Sequence, residues 1–99
     1  MADITAAELK ERINNGDKLN LIDVREQWEY DEFNMGGQLI PLGELQGKID
    51  DLDELKNQEV IVHCKSGGRS AAAQAFMIQN GFTNVRNLIG GALGYQALG

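Results

Sequence analysis

The chain has 99 residues and a formal net charge of −6, with 42% hydrophobic and 24% charged side chains. This length and composition suit one globular domain, 1–99, that buries a core without staples. The acidic balance disfavours nucleic acid or an anionic membrane as a partner, and no apolar run approaches the length of a membrane span. One cysteine and one histidine can build neither an internal disulfide nor a Cys/His zinc cage. The start, MADITAAE, lacks the basic and apolar regions of a secretory signal, so a cytoplasmic location and, at this size, a monomer are expected.

In chain order, Thr5 and Glu8 have capping-box spacing, Ile4 and Leu9 fit a hydrophobic staple, and Gly16 stops a helix predicted over about 5–14. LNLIDV (19–24) reads as a strand, and REQWEYDEF (25–33) as a helix with Trp28 as its largest apolar anchor. GGQLIPLGEL (36–45) predicts a short strand near Gln38–Ile40, a break at Pro41, and helical turns through 45–49 and 52–55. EVIVHC (59–64) is apolar on both faces, as in a central parallel strand. GRSAAAQAFMIQN (68–80) predicts a helix ended by Gly81, with Ala72, Ala75 and Phe76 toward the sheet. NVRNLIGG (84–91) adds a strand and ALGYQALG (92–99) a short helix. The alternation predicts an α/β domain with a mostly parallel sheet covered on both faces.

The sole cysteine, Cys64, then falls at the carboxyl end of a central strand, where ligands of open parallel sheets bind. A sulfur nucleophile must be a thiolate, and cations or helix N-termini lower the thiol pKa from its ordinary value of about 8.5. KSGGRS (65–70) supplies both aids. Lys65 and Arg69 are cations, Gly67 and Gly68 let the backbone curl so that N–H groups converge, and the loop empties into a helix N-terminus. Free cysteine is often merely a small buried hydrophobe, but this context favours a cradle for a thiolate, a persulfide or a bound oxyanion.

Together, DVREQWEY, IPLGEL, HCKSGGRS and GGALGY resemble a single-domain rhodanese, of the sulfurtransferase family, in matching order and over essentially the whole chain. The resemblance implies a rhodanese-like fold: a central five-stranded, mostly parallel sheet flanked by helices on both faces. It implies that Cys64 takes up sulfane sulfur as a persulfide and that residues Lys65, Ser66, Gly67, Gly68 and Arg69 form the loop around it. Lys65 and Arg69 would attract an anionic donor such as thiosulfate and stabilise departing sulfite. A thiol or cyanide would then take the sulfur in a ping-pong cycle that requires no metal or organic cofactor. A protein could also serve as donor or acceptor.

Two places depart from the family pattern. Phe33-Asn34-Met35 stands where GHI is common, and Tyr95 stands where tryptophan usually follows the paired glycines. Asp23 and Arg25 read as an ion pair holding loops, since charges are rarely buried unpaired. His63 reads as a partly buried strand residue on the face opposite Cys64, and Ser70 reads as a helix cap or as touching the loop interior, capping alone being enough to explain it. Trp28, Phe33, Phe76 and Phe82 read as core, and the acidic run 49–55 as a solvated face. Two other functions fit a cradled thiolate. One is a persulfide relay or docking module without efficient turnover. The other is a cysteine phosphatase or arsenate reductase, although the tyrosine-phosphatase loop needs five residues between cysteine and arginine and this chain has four.

Overall fold

A computed structural model describes residues 3–99. Helix α1 (Ala6–Asn14) is capped by Thr5, whose Oγ1 accepts the Glu8 N–H at 3.1 Å. Ile4 and Leu9, the two staple positions, are both fully buried. Strand β1 (Leu21–Asp23) leads to α2 (Gln27–Glu32), and β2 (Gln38–Leu39) to α3 (Leu42–Lys48) and a 3₁₀ helix (Ile49–Leu55). Strand β3 (Glu59–His63) feeds α4 (Gly68–Gln79), and β4 (Asn84–Asn87) feeds α5 (Gly91–Gln96).

The strands pair in the order β2-β1-β3-β4, all parallel. Among the described residues, four strands form the sheet where five were expected. The fifth place, beside β4, is held by a single parallel bridge between Ile4 and Leu88. Ile4 N–H reaches Asn87 O at 3.1 Å and Ile89 N–H reaches Ile4 O at 2.9 Å. The segment does not continue as a strand past Ile4 because Thr5 already caps α1.

Side chains alternate across the sheet. Leu21 and Ile61 join Ile4, Leu9 and Leu88 on one side. Ile22, Val60, Val62 and Val85 pack on the other with Leu45, Leu52, Ala73 and Met77. The alternation carries Cys64 into the second cluster with Val62, and turns His63 toward the first. On α4 the buried residues are Ser70, Ala73 and Met77, while Ala72 and Ala75 are exposed and Phe76 half-buried. The predicted face was therefore out of phase by about one residue, because a helix apolar nearly all round has no period to set its phase. Trp28 also departs from expectation. It is 62% exposed, and Glu29 is the α2 residue that turns inward. Phe82 is core, whereas Phe33 is half-buried with its ring 6.4 Å from that of Tyr95. The acidic residues of 49–55 are exposed while Leu52 is buried. Among the described residues, no helix is long and apolar enough to cross a membrane.

Candidate active site

Strand β1 connects to β2 on one side and β3 lies on its other side, so the order reverses between β1 and β3. Parallel sheets open a crevice at such a point, at the carboxyl ends of the strands. The residues leaving those two ends are Val24-Arg25 and Cys64-Lys65.

Cys64 is 1% exposed. Its Sγ accepts the Gly67 N–H at 3.1 Å and the Ser70 N–H at 3.4 Å, and Ser70 Oγ lies 3.3 Å away. The loop can turn this tightly because Gly67 sits at φ +120°, a region side chains avoid. Burial pushes the Cys64 thiol up. The Ser70 hydroxyl and the backbone N–H groups of Ser70, Gly67 and Ser66 outweigh it and hold the thiol below its ordinary value. Hydrogen bonds to a charged acceptor contribute about 1.5–3 kcal/mol each, so a few converging donors suffice.

Ser70 is not a capping residue here. Gly67 is the N-cap of α4, and the buried Ser70 hydroxyl faces the loop interior. It lies 2.6 Å from Asn87 Oδ1, at the end of β4, and 3.2 Å from Gly67 O. The loop is held from a second side by α5. Ala92 N–H bonds Cys64 O at 2.8 Å and Leu93 N–H bonds Lys65 O at 3.0 Å. This approach requires Gly91, since a Cβ there would stand 2.5 Å from Lys65 O and 2.7 Å from Cys64 O.

The two expected cations separate. Arg69 donates from Nη1 to Glu29 Oε1 at 2.7 Å and from Nη2 to Glu29 Oε2 at 2.9 Å, a bidentate pair joining α4 to α2. Those bonds, against the opposing effect of burial and with help from the Glu26 N–H, hold the Glu29 carboxyl down at about 2. Arg69 is raised in turn, mainly by Glu29, with a smaller contribution from the Cys64 sulfur. Lys65 is exposed and, among the described residues, has no ion pair. It lines a cleft of about 340 Å³ together with Trp28, Glu32, Phe33, Leu93 and Gln96.

Asp23 and Arg25 form the buried pair expected of them, with Nη2 and Oδ2 2.6 Å apart and side chains 1% and 5% exposed. Arg25 also donates to Glu29 O at 3.3 Å and Phe33 O at 2.7 Å, fastening α2 at two points. His63 is fully buried, not partly, and Nε2 lies 3.7 Å from Asp23 Oδ2. Burial lowers its pKa, which keeps the ring neutral.

Glu29, Asn87 and Gly91 were not singled out in sequence. Asn87 had one available signal, a polar residue at the carboxyl end of a strand next to the one bearing the cysteine. Glu29 had only its spacing from Glu26, whose N–H it accepts at 3.0 Å.

The structure thus defines a doubly wound α/β protein with a parallel sheet and a cysteine cradled by backbone N–H groups at its switch point. The rhodanese-like domain family matches residues 5–98, and the chain belongs to it. It is similar to two provisionally named proteins of Bacillus subtilis (strain 168). With the sulfur carrier protein YrkF it shares 36% identity over 90 residues, which are 90% of this chain and 48% of that protein. With the sulfurtransferase YtwF it shares 35% over 95 residues, 95% of this chain and 89% of that one. The chain thus spans about half of YrkF and most of YtwF. The crystal structure of a rhodanese-related protein from Thermoplasma volcanium superposes with a TM-score of 0.84 at 32% identity, covering 100% of this chain and 94% of that one.

Proposed function

We propose that the chain is a sulfurtransferase that carries sulfane sulfur as a persulfide on Cys64. It would take the sulfur from an anionic donor such as thiosulfate and pass it to a thiol or cyanide. The observation that carries this reading is the convergence of the Gly67 and Ser70 N–H groups on Cys64 Sγ. The Cys64 thiolate attacks the outer sulfur of thiosulfate. A Cys–S–S⁻ persulfide forms, the old S–S bond breaks, and sulfite leaves with its electron pair. Attack by the acceptor on the outer persulfide sulfur then returns the Cys64 thiolate. The exchange consumes no external oxidant, and we read it as needing no metal or organic cofactor. Residues 65–69 form the loop around the sulfur, but the two cations have different tasks. Lys65, with no ion pair among the described residues, draws the anion in; Arg69, held by Glu29, braces the loop. A reducing, cytosolic setting suits a free thiolate.

A relay between proteins is a second reading, favoured by the cleft beside Lys65. At about 340 Å³, with Trp28 62% and Leu93 51% exposed, it offers more room and more apolar surface than a small anion uses. A phosphatase fits less well, because such an enzyme needs its loop arginine on the substrate oxyanion and Arg69 is occupied by Glu29.

The test is intact mass after brief incubation with thiosulfate, with and without a cyanide chase, for the wild type and Cys64→Ser. The wild type should gain one sulfur that cyanide removes, and folded Cys64→Ser should gain none. A sulfur retained by Cys64→Ser would overturn the mechanism. Loading by a protein or cysteine persulfide but not by thiosulfate would favour the relay.

A further inference from the structure

One proton and three acceptors meet at the Ser70 hydroxyl. Oγ lies 2.6 Å from Asn87 Oδ1, 3.2 Å from Gly67 O and 3.3 Å from Cys64 Sγ. Ser70 is fully buried and Asn87 nearly so, at 9% exposed, so water is a poor substitute for any of these partners. The orientation of the Asn87 amide follows from its surroundings. Its other end lies 3.2 Å from Gly67 O, which accepts and never donates, so that end is the NH₂ and the oxygen faces Ser70. Gly67 O already receives the Ala71 N–H at 3.0 Å and this Asn87 N–H, which fill its two lone pairs. The contest for the Ser70 proton is therefore between the amide oxygen and the sulfur.

We propose that Asn87 and Ser70 form a proton-position pair, in which Asn87 Oδ1 competes with Cys64 Sγ for the single hydroxyl proton of Ser70 and so restrains the thiolate. In the thiol state the sulfur does not need that donor, and the hydroxyl rests on Asn87 at 2.6 Å. When Cys64 loses its proton to solvent or to a bound base, the hydroxyl swings about Cβ–Oγ, keeps its own proton, and donates to S⁻. Asn87 thereby loses a short hydrogen bond each time the sulfur becomes charged. Asn87 is a positioning residue: its oxygen acts on the sulfur through Ser70, while its NH₂ separately holds Gly67 O at 3.2 Å, a contact that does not involve the hydroxyl. Its own place is secured by its backbone N–H, which reaches Asp3 Oδ1 at 3.1 Å, a carboxylate that also accepts Gln74 Nε2 at 2.8 Å.

The charged groups around the sulfur belong to several elements. Lys65 adjoins it in the loop, and Arg69 on α4 is paired with Glu29 on α2. Asp23 and Arg25 pair at the carboxyl end of β1, with His63 beside them, and Asp3 lies behind Asn87. From α5 only Tyr95 is titratable, and on β4 Arg86 is paired with Glu59 and Glu8. None of these charges is altered by exchanging Ser70 or Asn87 for alanine, so the pair can be tested against a constant field.

This inference rests on Cys64 being the reactive group, yet its test does not require sulfur transfer. The rate of alkylation of the only cysteine by iodoacetamide is followed by intact mass across a pH series, and the midpoint is read separately from the plateau. A change in access moves the plateau, whereas a change in thiolate stability moves the midpoint. Ser70→Ala should raise the midpoint by about one pH unit, slowing alkylation about tenfold below it. Asn87→Ala should lower the midpoint in the wild-type background, and this lowering should be absent in the Ser70→Ala background, where Asn87→Ala removes only the bond to Gly67 O. A midpoint raised by Asn87→Ala, or lowered equally in both backgrounds, would overturn the proposal, since a loop effect needs no hydroxyl. Asn87→Asp covers the case in which Asn87→Ala does not fold. As a stronger acceptor it should raise the midpoint, and by less once Ser70 is alanine; an equal rise in both backgrounds would overturn the proposal. Absence of sulfur loading with these midpoints as expected would count against the transferase reading alone.

Discussion

The two ends of the sheet hold their charges differently. At the amino end, Glu59 of β3 is shared by Arg12 at 2.7 Å and Arg86 at 2.9 Å, and Arg86 also reaches Glu8 at 3.3 Å. Several of these side chains are a quarter or more exposed, so water screens them. At the carboxyl end, Asp23–Arg25 and Glu29–Arg69 are tighter, and three of those four side chains are 8% exposed or less. Both pairs brace loops rather than face the sulfur. Because these carboxylates have their own arginines, the donors left to Cys64 are backbone N–H groups and one hydroxyl, with Lys65 at the mouth. The backbone N–H dipoles are fixed before a thiolate forms and only the Ser70 hydroxyl has to turn toward it, an arrangement that suits the sulfur-carrying role proposed for Cys64.

The contrast can be broken most forcefully at Arg25. Arg25→Met leaves Asp23 charged, buried and unpaired, and should lower the unfolding free energy by about 3–5 kcal/mol in urea. Adding Asp23→Leu should restore most of it, and a loss under about 1 kcal/mol for Arg25→Met would show that the pair does not brace the loops.

Glu29 sharpens the comparison through pH. Its carboxyl lies at about 2 in the fold against 4.5 for an unperturbed glutamate. The folded value is the lower one, so the stabilisation is complete above about pH 4.5 and is lost as pH falls through about 2. Relative to Glu29→Gln, the wild type should hold an advantage of about 2–3 kcal/mol at neutral pH that shrinks across that window. A constant difference from neutral pH to pH 2 would assign the effect to packing rather than charge. The smallest change belongs to the amino end. Glu59→Gln should reduce stability by about 1 kcal/mol or less, and high salt should erase most of the difference. A loss as large as that of Arg25→Met would remove the distinction between the two ends.

Much of the site was legible because it is contiguous. A buried strand, a cysteine, two glycines and a helix start within residues 59–70 describe a cradle by local rules alone, and the structure does bring the Gly67 N–H to Cys64 Sγ. Those rules could not separate Lys65 from Arg69, since that depends on Glu29, 40 residues away in sequence. Trp28 was misplaced for the same reason. On a six-residue helix the inward position went to the carboxylate that meets Arg69, and the indole turned outward. Beyond Ile4 the fifth strand does not continue, because Thr5 serves the helix that follows.

The amino-acid sequence by itself determined the alternation of strands and helices, the switch-point position of Cys64 and the tight turn after it, because hydrophobic period, glycine and proline act within a few residues. Tertiary structure alone decided which partner each buried polar group found. It set the phase of α4, whose alanine-rich face carries no periodic signal until Ser70 is anchored beside Cys64 and Asn87. It also paired Glu29 with Arg69, and set Gly91 against the Lys65 carbonyl, where a single Cβ would not fit. Burial makes an unpaired polar group expensive, and which groups are buried together is a property of the folded chain.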